Sequence, residues 1–264
     1  MQRLFGFLLT LLFACPAIAQ QDSPLRVLQT GDDSRGWEAV GRLDTGIGFC
    51  TATLIAPDLV LTAAHCLFHP DSGARLDDRD LSFQAGLRNG RPEAIRHIRR
   101  GHVMPGYSVL RGIEMDMIAR DLALLELDLP VGSARFAPIA AGGAAPLRGA
   151  VTVVSYGADR EDAPSLQDRC TILGGQGVVR SLSCRIDRGS SGAPVLRMTA
   201  HGPRVVAVMS ATGRAATGQP RSVSVAIEAA LPVLLSQRAG AATGAAGGTM
   251  RPDRGRLGAH FIRP

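Results

Sequence analysis

Leu59-Val60-Leu61-Thr62-Ala63-Ala64-His65-Cys66 is the stretch from which both the fold and the chemistry of this chain are read. Its first half is a short apolar run with the length and β-branching of a strand, and it hands the chain to a histidine placed directly before a cysteine. Upstream, Phe49 to Ile55 reads as a second strand, and Ala56-Pro57-Asp58 supplies the turn between the two. Further out the same grammar repeats. Leu122 to Leu127, Val151 to Tyr156, Val195 to Met198 and Val205 to Ser210 read as strands, and Met104-Pro105-Gly106 and Ala141-Gly142-Gly143 punctuate them. Closely spaced short strands with few helical patterns predict an all-β sandwich or barrel. The one helix of note is expected over Ile227 to Gln237, interrupted by Pro232.

Two further motifs answer to His65. Asp121 opens the alternating run Leu122-Ala123-Leu124-Leu125-Glu126-Leu127, and Gly189-Ser190-Ser191-Gly192-Ala193-Pro194 places a serine in a turn of small residues. A serine hydroxyl is a poor nucleophile until a base takes its proton, and that base needs an acid partner to set its tautomer. All three groups are present, in the order His, Asp, Ser. Asp116 is the rival acid, but the strand pattern starting at Leu122 favours Asp121. Ser190 is the rival nucleophile, and the spacing of Gly192 and Pro194 favours Ser191. The other histidines, His69, His97, His102, His201 and His260, lack such flanks and read as structural or surface residues.

These motifs and their order resemble the trypsin/chymotrypsin-like serine proteases. The arrangement from Cys184 through Gly189, Ser191, Gly192 and Pro194 is most similar to bacterial exported enzymes of the glutamyl-endopeptidase (V8-like) type. The resemblance covers residues 37–237. It implies two packed antiparallel six-stranded β-barrels with a short C-terminal helix and the reacting groups at the junction. It also implies a serine-type endopeptidase that hydrolyses protein or peptide substrates through an acyl-enzyme intermediate, with no metal or organic cofactor. In that reading His65 is the general base, Asp121 the orienting acid and Ser191 the nucleophile. The N–H groups of Gly189 and Ser191 would form the oxyanion hole. Arg185, Ser210 and Thr212 would line the substrate pocket, with Ser210 supporting the aspartate.

Two departures stand out. Animal-type relatives carry Asp immediately before the nucleophile, where a freshly cut N-terminus binds it during activation; Ser190 stands there, so activation by that route is not expected. Arg185 occupies the position at the pocket floor, which would attract an acidic side chain at the cleavage site. The alternative is that Arg185 faces solvent and Asp187 or small residues line the pocket. A different class also fits the fold, a catalytically silent protease-like module that binds a protein partner. A non-proteolytic esterase would share the triad, but the Gly-x-Ser-x-Gly elbow of the α/β-hydrolases is missing.

Bulk composition sets the frame around these motifs. The 264 residues, 45 % hydrophobic and 20 % charged, describe a globular chain able to bury one large core or two small ones. All 29 Lys and Arg residues are arginine, and the net charge is +6. The densest cluster, Arg96-His97-Ile98-Arg99-Arg100, has no interleaved aromatics and reads as a solvated strand, not as a nucleic-acid surface. At the N-terminus, Arg3, the apolar run Leu4 to Phe13 and Ala17-Ile18-Ala19 have the form of a secretory signal peptide, with cleavage expected after Ala19. Leu12-Phe13-Ala14-Cys15 is a competing lipoprotein-like box in which Phe13 is bulky. No other segment is apolar for long enough to span a bilayer. Secretion or periplasmic placement follows. Residues 20–36 then form an arm or short pro-segment, and residues 238–264, rich in Ala, Gly and Arg, a flexible tail.

Export leaves Cys50, Cys66, Cys170 and Cys184. Four cysteines in an exported chain predict two disulfides, for which three pairings are formally possible. Neighbours in sequence are favoured, Cys50 with Cys66 and Cys170 with Cys184. The cysteines lack the Cys-x-x-Cys spacing of a zinc site. Oligomeric state is not encoded in any of these features.

Overall fold

The structure is a computed structural model that describes residues 24–112, 114–132, 136–214 and 220–246. The expected signal peptide and the end of the tail lie outside the described residues. The chain begins with β1 (Arg26–Val27) and then builds a first barrel from β2 (Val40–Asp44), β3 (Phe49–Ala56), β4 (Leu59–Thr62), β5 (Ser82–Ala85), β6 (Ala94–Val103) and β7 (Ala123–Leu127). These six close in the order β2-β3-β4-β7-β6-β5, and every pairing is antiparallel. A short β8 (Ala140–Ala141) leads to the second barrel of β9 (Gly149–Ser155), β10 (Ser165–Gln176), β11 (Val179–Leu182), β12 (Pro194–Thr199), β13 (Gly202–Arg214) and β14 (Pro220–Ala226). Here the ring runs β9-β10-β11-β14-β13-β12 and returns to β9. β1 lies antiparallel on β10, and β8 parallel beside β13. The expectation of two six-stranded antiparallel barrels is borne out.

Closure follows from the sequence pattern. In β5 the side chains alternate, with Phe83 and Ala85 turned inward and Ser82 and Gln84 outward. β4 and β7 do not alternate, because both of their faces are covered and every residue is buried. Closure removes the open strand edges that a flat sheet would present to other chains. The larger apolar core combines Leu43, Leu54, Leu61, Phe83 and Leu124 of the first barrel with Val154, Leu196 and Val208 of the second. One apolar cluster therefore crosses the junction and fixes the barrels against each other. A smaller cluster around Val153, Cys170, Val195 and Met209 fills the second barrel.

The C-terminal helix differs from its expected bounds. A first single-turn helix, α1 (Met115–Ile118), precedes β7, and the terminal helix α2 spans Ala230–Ala246. Pro232 does not interrupt α2, because it falls in the first turn, where backbone N–H groups have no helical acceptor. The helix continues past Gln237 because the segment after it is rich in alanine, the best helix former. α2 emerges from the second barrel but packs on the first. Leu231 and Leu234 enter the larger core, and Arg238 pairs with Asp58 at 2.6 Å.

Both disulfides join neighbours in sequence, Cys50 to Cys66 and Cys170 to Cys184. Cross-links that close loops of this size stabilise by about 3 kcal/mol in the chain-entropy account. The first ties the turn carrying His65 to β3. The second joins β10 to the segment leading to Ser191.

Candidate active site

His65 sits in a tight 3-10 turn, Ala64–Leu67, at the end of β4. Asp121 comes from the turn between α1 and β7. Its carboxylate makes two contacts with the same residue: Oδ1 accepts the main-chain N–H of His65 at 2.8 Å, and Oδ2 lies 2.8 Å from Nδ1 of the ring. An ionised carboxylate can only accept, so the proton of the neutral imidazole resides on Nδ1 and the lone pair on Nε2. Ser210 of the second barrel donates to the same Oδ2 at 2.5 Å. A β-bulge between Met209 and Ala211 makes this possible, since the register shift turns Ser210 out of the sheet pattern toward the junction. The rival Asp116 is half exposed and paired with Arg111 at 3.0 Å.

Charge and burial act against each other in this pair. Burial works to lower the pKa of His65, but the Asp121 charge and hydrogen bond outweigh it, so the imidazole is held above its ordinary value. Burial likewise works to raise the pKa of Asp121; the His65 charge, the hydrogen bonds from His65 and the Ser210 hydroxyl together carry it below the ordinary carboxylate range. The result is an anionic carboxylate and a more basic ring than usual.

Ser191 is carried on the loop between β11 and β12, and Thr51 of the first barrel holds that loop. The Thr51 N–H donates to the Ser191 carbonyl at 2.8 Å, and its hydroxyl donates to the Gly189 carbonyl at 2.9 Å. Thr51 is fully buried, accepts from the Tyr156 N–H through Oγ1 and from the Thr62 hydroxyl through its carbonyl, and so joins both barrels to the loop. Glycine is required at two places. Gly189 (φ +91°) would press a Cβ into the Phe49 ring, and Gly192 (φ +81°) would press one into the Thr51 carbonyl and the Thr62 hydroxyl.

The orientation of two N–H groups follows from the carbonyls bonded on the other side of the same peptides. The Arg188 carbonyl accepts from Ala158 N–H at 2.7 Å, and the Ser190 carbonyl accepts from Ala193 N–H at 3.1 Å. In a trans peptide N–H and C=O point in opposite directions. The N–H groups of Gly189 and Ser191 are thereby turned away from those partners.

A cavity of about 250 Å³ opens beside the imidazole, lined by Tyr107, Val109, Met117 and Ile118 together with His65, Asp121 and Ser210. Burial first, and then the Asp121 charge, hold the Tyr107 hydroxyl well above its ordinary pKa, so it stays protonated. The sequence reading does not single out Tyr107; a lone tyrosine in a Gly- and Pro-containing loop carries no motif. Of the three residues assigned to a substrate pocket, Ser210 lies in this cavity. Arg185 is exposed and lines a different one, with Pro24, Leu25, Arg160 and Asp187. Thr212 is exposed on β13, where it pairs with Ser222 of β14. Cys50, His65 and Cys66 cluster closely enough to consider a metal, but the cysteines are bonded to each other and supply no thiolate.

Paired six-stranded barrels with this histidine and carboxylate at their junction define the chymotrypsin-like architecture. Residues 50–208, more than half of the chain, match the family described as a trypsin-like peptidase domain, and the chain belongs to that family. Among solved structures it is similar to a Glu endopeptidase in complex with MPD, with a TM-score of 0.66 and 17 % identity over 81 % of this chain and 96 % of that one. At that identity the likeness speaks for the fold. Comparison of the sequence with curated proteins finds no match.

Proposed function

We propose that this chain is an exported serine endopeptidase that works through an acyl-enzyme, with His65, Asp121 and Ser191 as its triad. The observation that carries the reading is the pair of hydrogen bonds that Asp121 accepts from His65, one from its main-chain N–H and one from Nδ1 of its ring. It places the ring proton on Nδ1 and leaves Nε2 of an unusually basic imidazole as the acceptor that the mechanism needs. In the first step His65 takes the Ser191 proton as Oγ attacks the substrate carbonyl. The imidazolium, stabilised by Asp121, then protonates the leaving amine, and water releases the acyl group by the reverse sequence. The N–H groups of Gly189 and Ser191 receive the charge that develops on the carbonyl oxygen. One such donor is typically worth about 3 kcal/mol in rate.

Export is supported by the two disulfides, which belong to oxidising compartments. A fluorophosphonate probe and casein hydrolysis test the proposal together. The purified chain is expected to label and to cleave, and Ser191→Ala to do neither. Labelling that persists in Ser191→Ala, or a folded parent inert in both assays, overturns it, the latter in favour of a silent binding module.

A further inference from the structure

The side chain of Arg160 is largely buried, with only 8 % exposed. It lies in the turn after β9, and each end of its guanidinium grips a different segment. Nη1 donates to the Ser155 carbonyl at 3.0 Å. Nη2 reaches both Asp187 Oδ2 and Ser190 Oγ at 3.3 Å. Ser190, the residue before the proposed nucleophile, is fully buried. Its hydroxyl donates to the Tyr156 carbonyl at 3.0 Å and accepts from the Asp187 N–H at 3.3 Å. Room for the guanidinium comes from Gly157, where a Cβ would lie 2.4 Å from Nη2. The same turn supplies Ala158, whose N–H holds the Arg188 carbonyl at 2.7 Å.

Stability alone does not account for this arrangement. Nε is buried with no hydrogen-bond partner among the described residues, Arg185 adds a second positive charge nearby, and one half-buried carboxylate opposes both. Burying a cation with incomplete partners is unfavourable. Two of its contacts, to Asp187 and Ser190, fall on the segment Asp187–Ser191, which carries the two N–H groups proposed to receive the oxyanion.

We propose that Arg160 is a positioning residue that clamps the Asp187–Ser191 loop in its reactive shape. In this arrangement a side chain of the turn after β9, and not a newly cut N-terminus, holds the loop at Asp187 and Ser190. This rests on the reading given under Proposed function. The ligand of the clamp is internal: a carboxylate, a hydroxyl and a main-chain carbonyl.

The test compares the parent with Arg160→Met and Arg160→Lys by peptide hydrolysis and by hydrogen exchange. Arg160→Met is expected to lower kcat by about ten- to a hundredfold, with KM changed by less than about threefold. Added guanidinium ion should restore part of kcat. Peptides covering residues 183–192 should exchange faster, whereas those from β5 and β6 should not. Arg160→Lys keeps the charge but loses the fork, and is expected to fall between the two. Unchanged kcat together with unchanged exchange over residues 183–192 in Arg160→Met overturns the proposal. Should that variant fail to fold, a lysine variant identical to the parent in both readouts does the same. A parent that neither cleaves nor labels defeats the protease reading, and the exchange comparison still decides the clamp.

Discussion

Ser210 of the second barrel donates its hydroxyl proton to Asp121 of the first, across 89 residues of sequence, on the same carboxylate oxygen that faces the His65 ring. The carboxylate is therefore held from both barrels, and the Ser210 hydroxyl adds to the larger effect of His65 in keeping its pKa low. Ser210→Ala is expected to lower kcat/KM by about tenfold, the worth of one hydrogen bond to a charged group. Steady-state kinetics checks this, and an unchanged value would show that the main-chain and ring contacts suffice.

With His65 as the proposed base, its raised pKa is expected to set the acid limb of the pH profile. The base must be neutral, so kcat/KM should fall as pH drops through a value above 6.5, the ordinary value for the ring. Asp121→Asn removes the charge responsible. It should move that limb downward and reduce kcat by about four orders of magnitude, because the wrong tautomer is then favoured. A limb that stays in place after the substitution would assign it to another group.

Glu126 is a second buried acid, and it serves the fold. On β7 it accepts from His102 at 2.7 Å and Arg99 at 2.6 Å, with Arg238 of α2 at 3.7 Å. Burial works to raise its pKa, but His102 and the two guanidinium groups hold it below 4.5. A folded-state value below the unfolded one gives stability that is complete above pH 4.5 and fades as pH falls through the depressed value. Glu126→Gln should cost about 3 kcal/mol in urea unfolding at neutral pH. The deficit relative to the parent should narrow in acid. A pH-independent deficit would point to packing and not to charge.

Gly192 and Gly189 should respond differently to a methyl group. At Gly192 the new Cβ would lie 2.1 Å from a main-chain oxygen, whereas at Gly189 it meets the far end of the Phe49 side chain, which yields more readily than backbone. Both alanines sit at positive φ and share a strain of about 1–2 kcal/mol. Gly192→Ala should therefore lower Tm further, and it should slow fluorophosphonate labelling even where it folds. Equal Tm losses would mean that the Thr51 latch yields as easily as the ring.

Strand content and barrel architecture were legible because period-2 patterns and Gly/Pro turns are local signals. β7 shows the limit: its run was read as alternating, yet all five residues are buried, since α2 covers the outer face and brings Arg238 to Glu126. The end of α2 lies beyond its expected bound for a related reason. A segment rich in Ala and Gly reads as tail by composition, but an anchored helix with Leu231 and Leu234 in the core propagates through alanine. Arg160 carried no signal at all, because an arginine in a turn looks solvated until the neighbouring loop closes over it.

From its residues alone the chain declared an all-β fold, an ordered set of His65, Asp121 and Ser191, and two expected cross-links, since each of these rests on short-range pattern and chemical type. Tertiary structure decided which groups touch. The Met209/Ala211 bulge turns Ser210 onto Asp121, Thr51 joins the barrels to the Ser191 loop, and Arg160 enters beneath Ser190 while Arg185 remains outside. Those choices depend on the packing of one barrel against the other, and the sum of long-range contacts that fixes it is written in no single stretch of sequence.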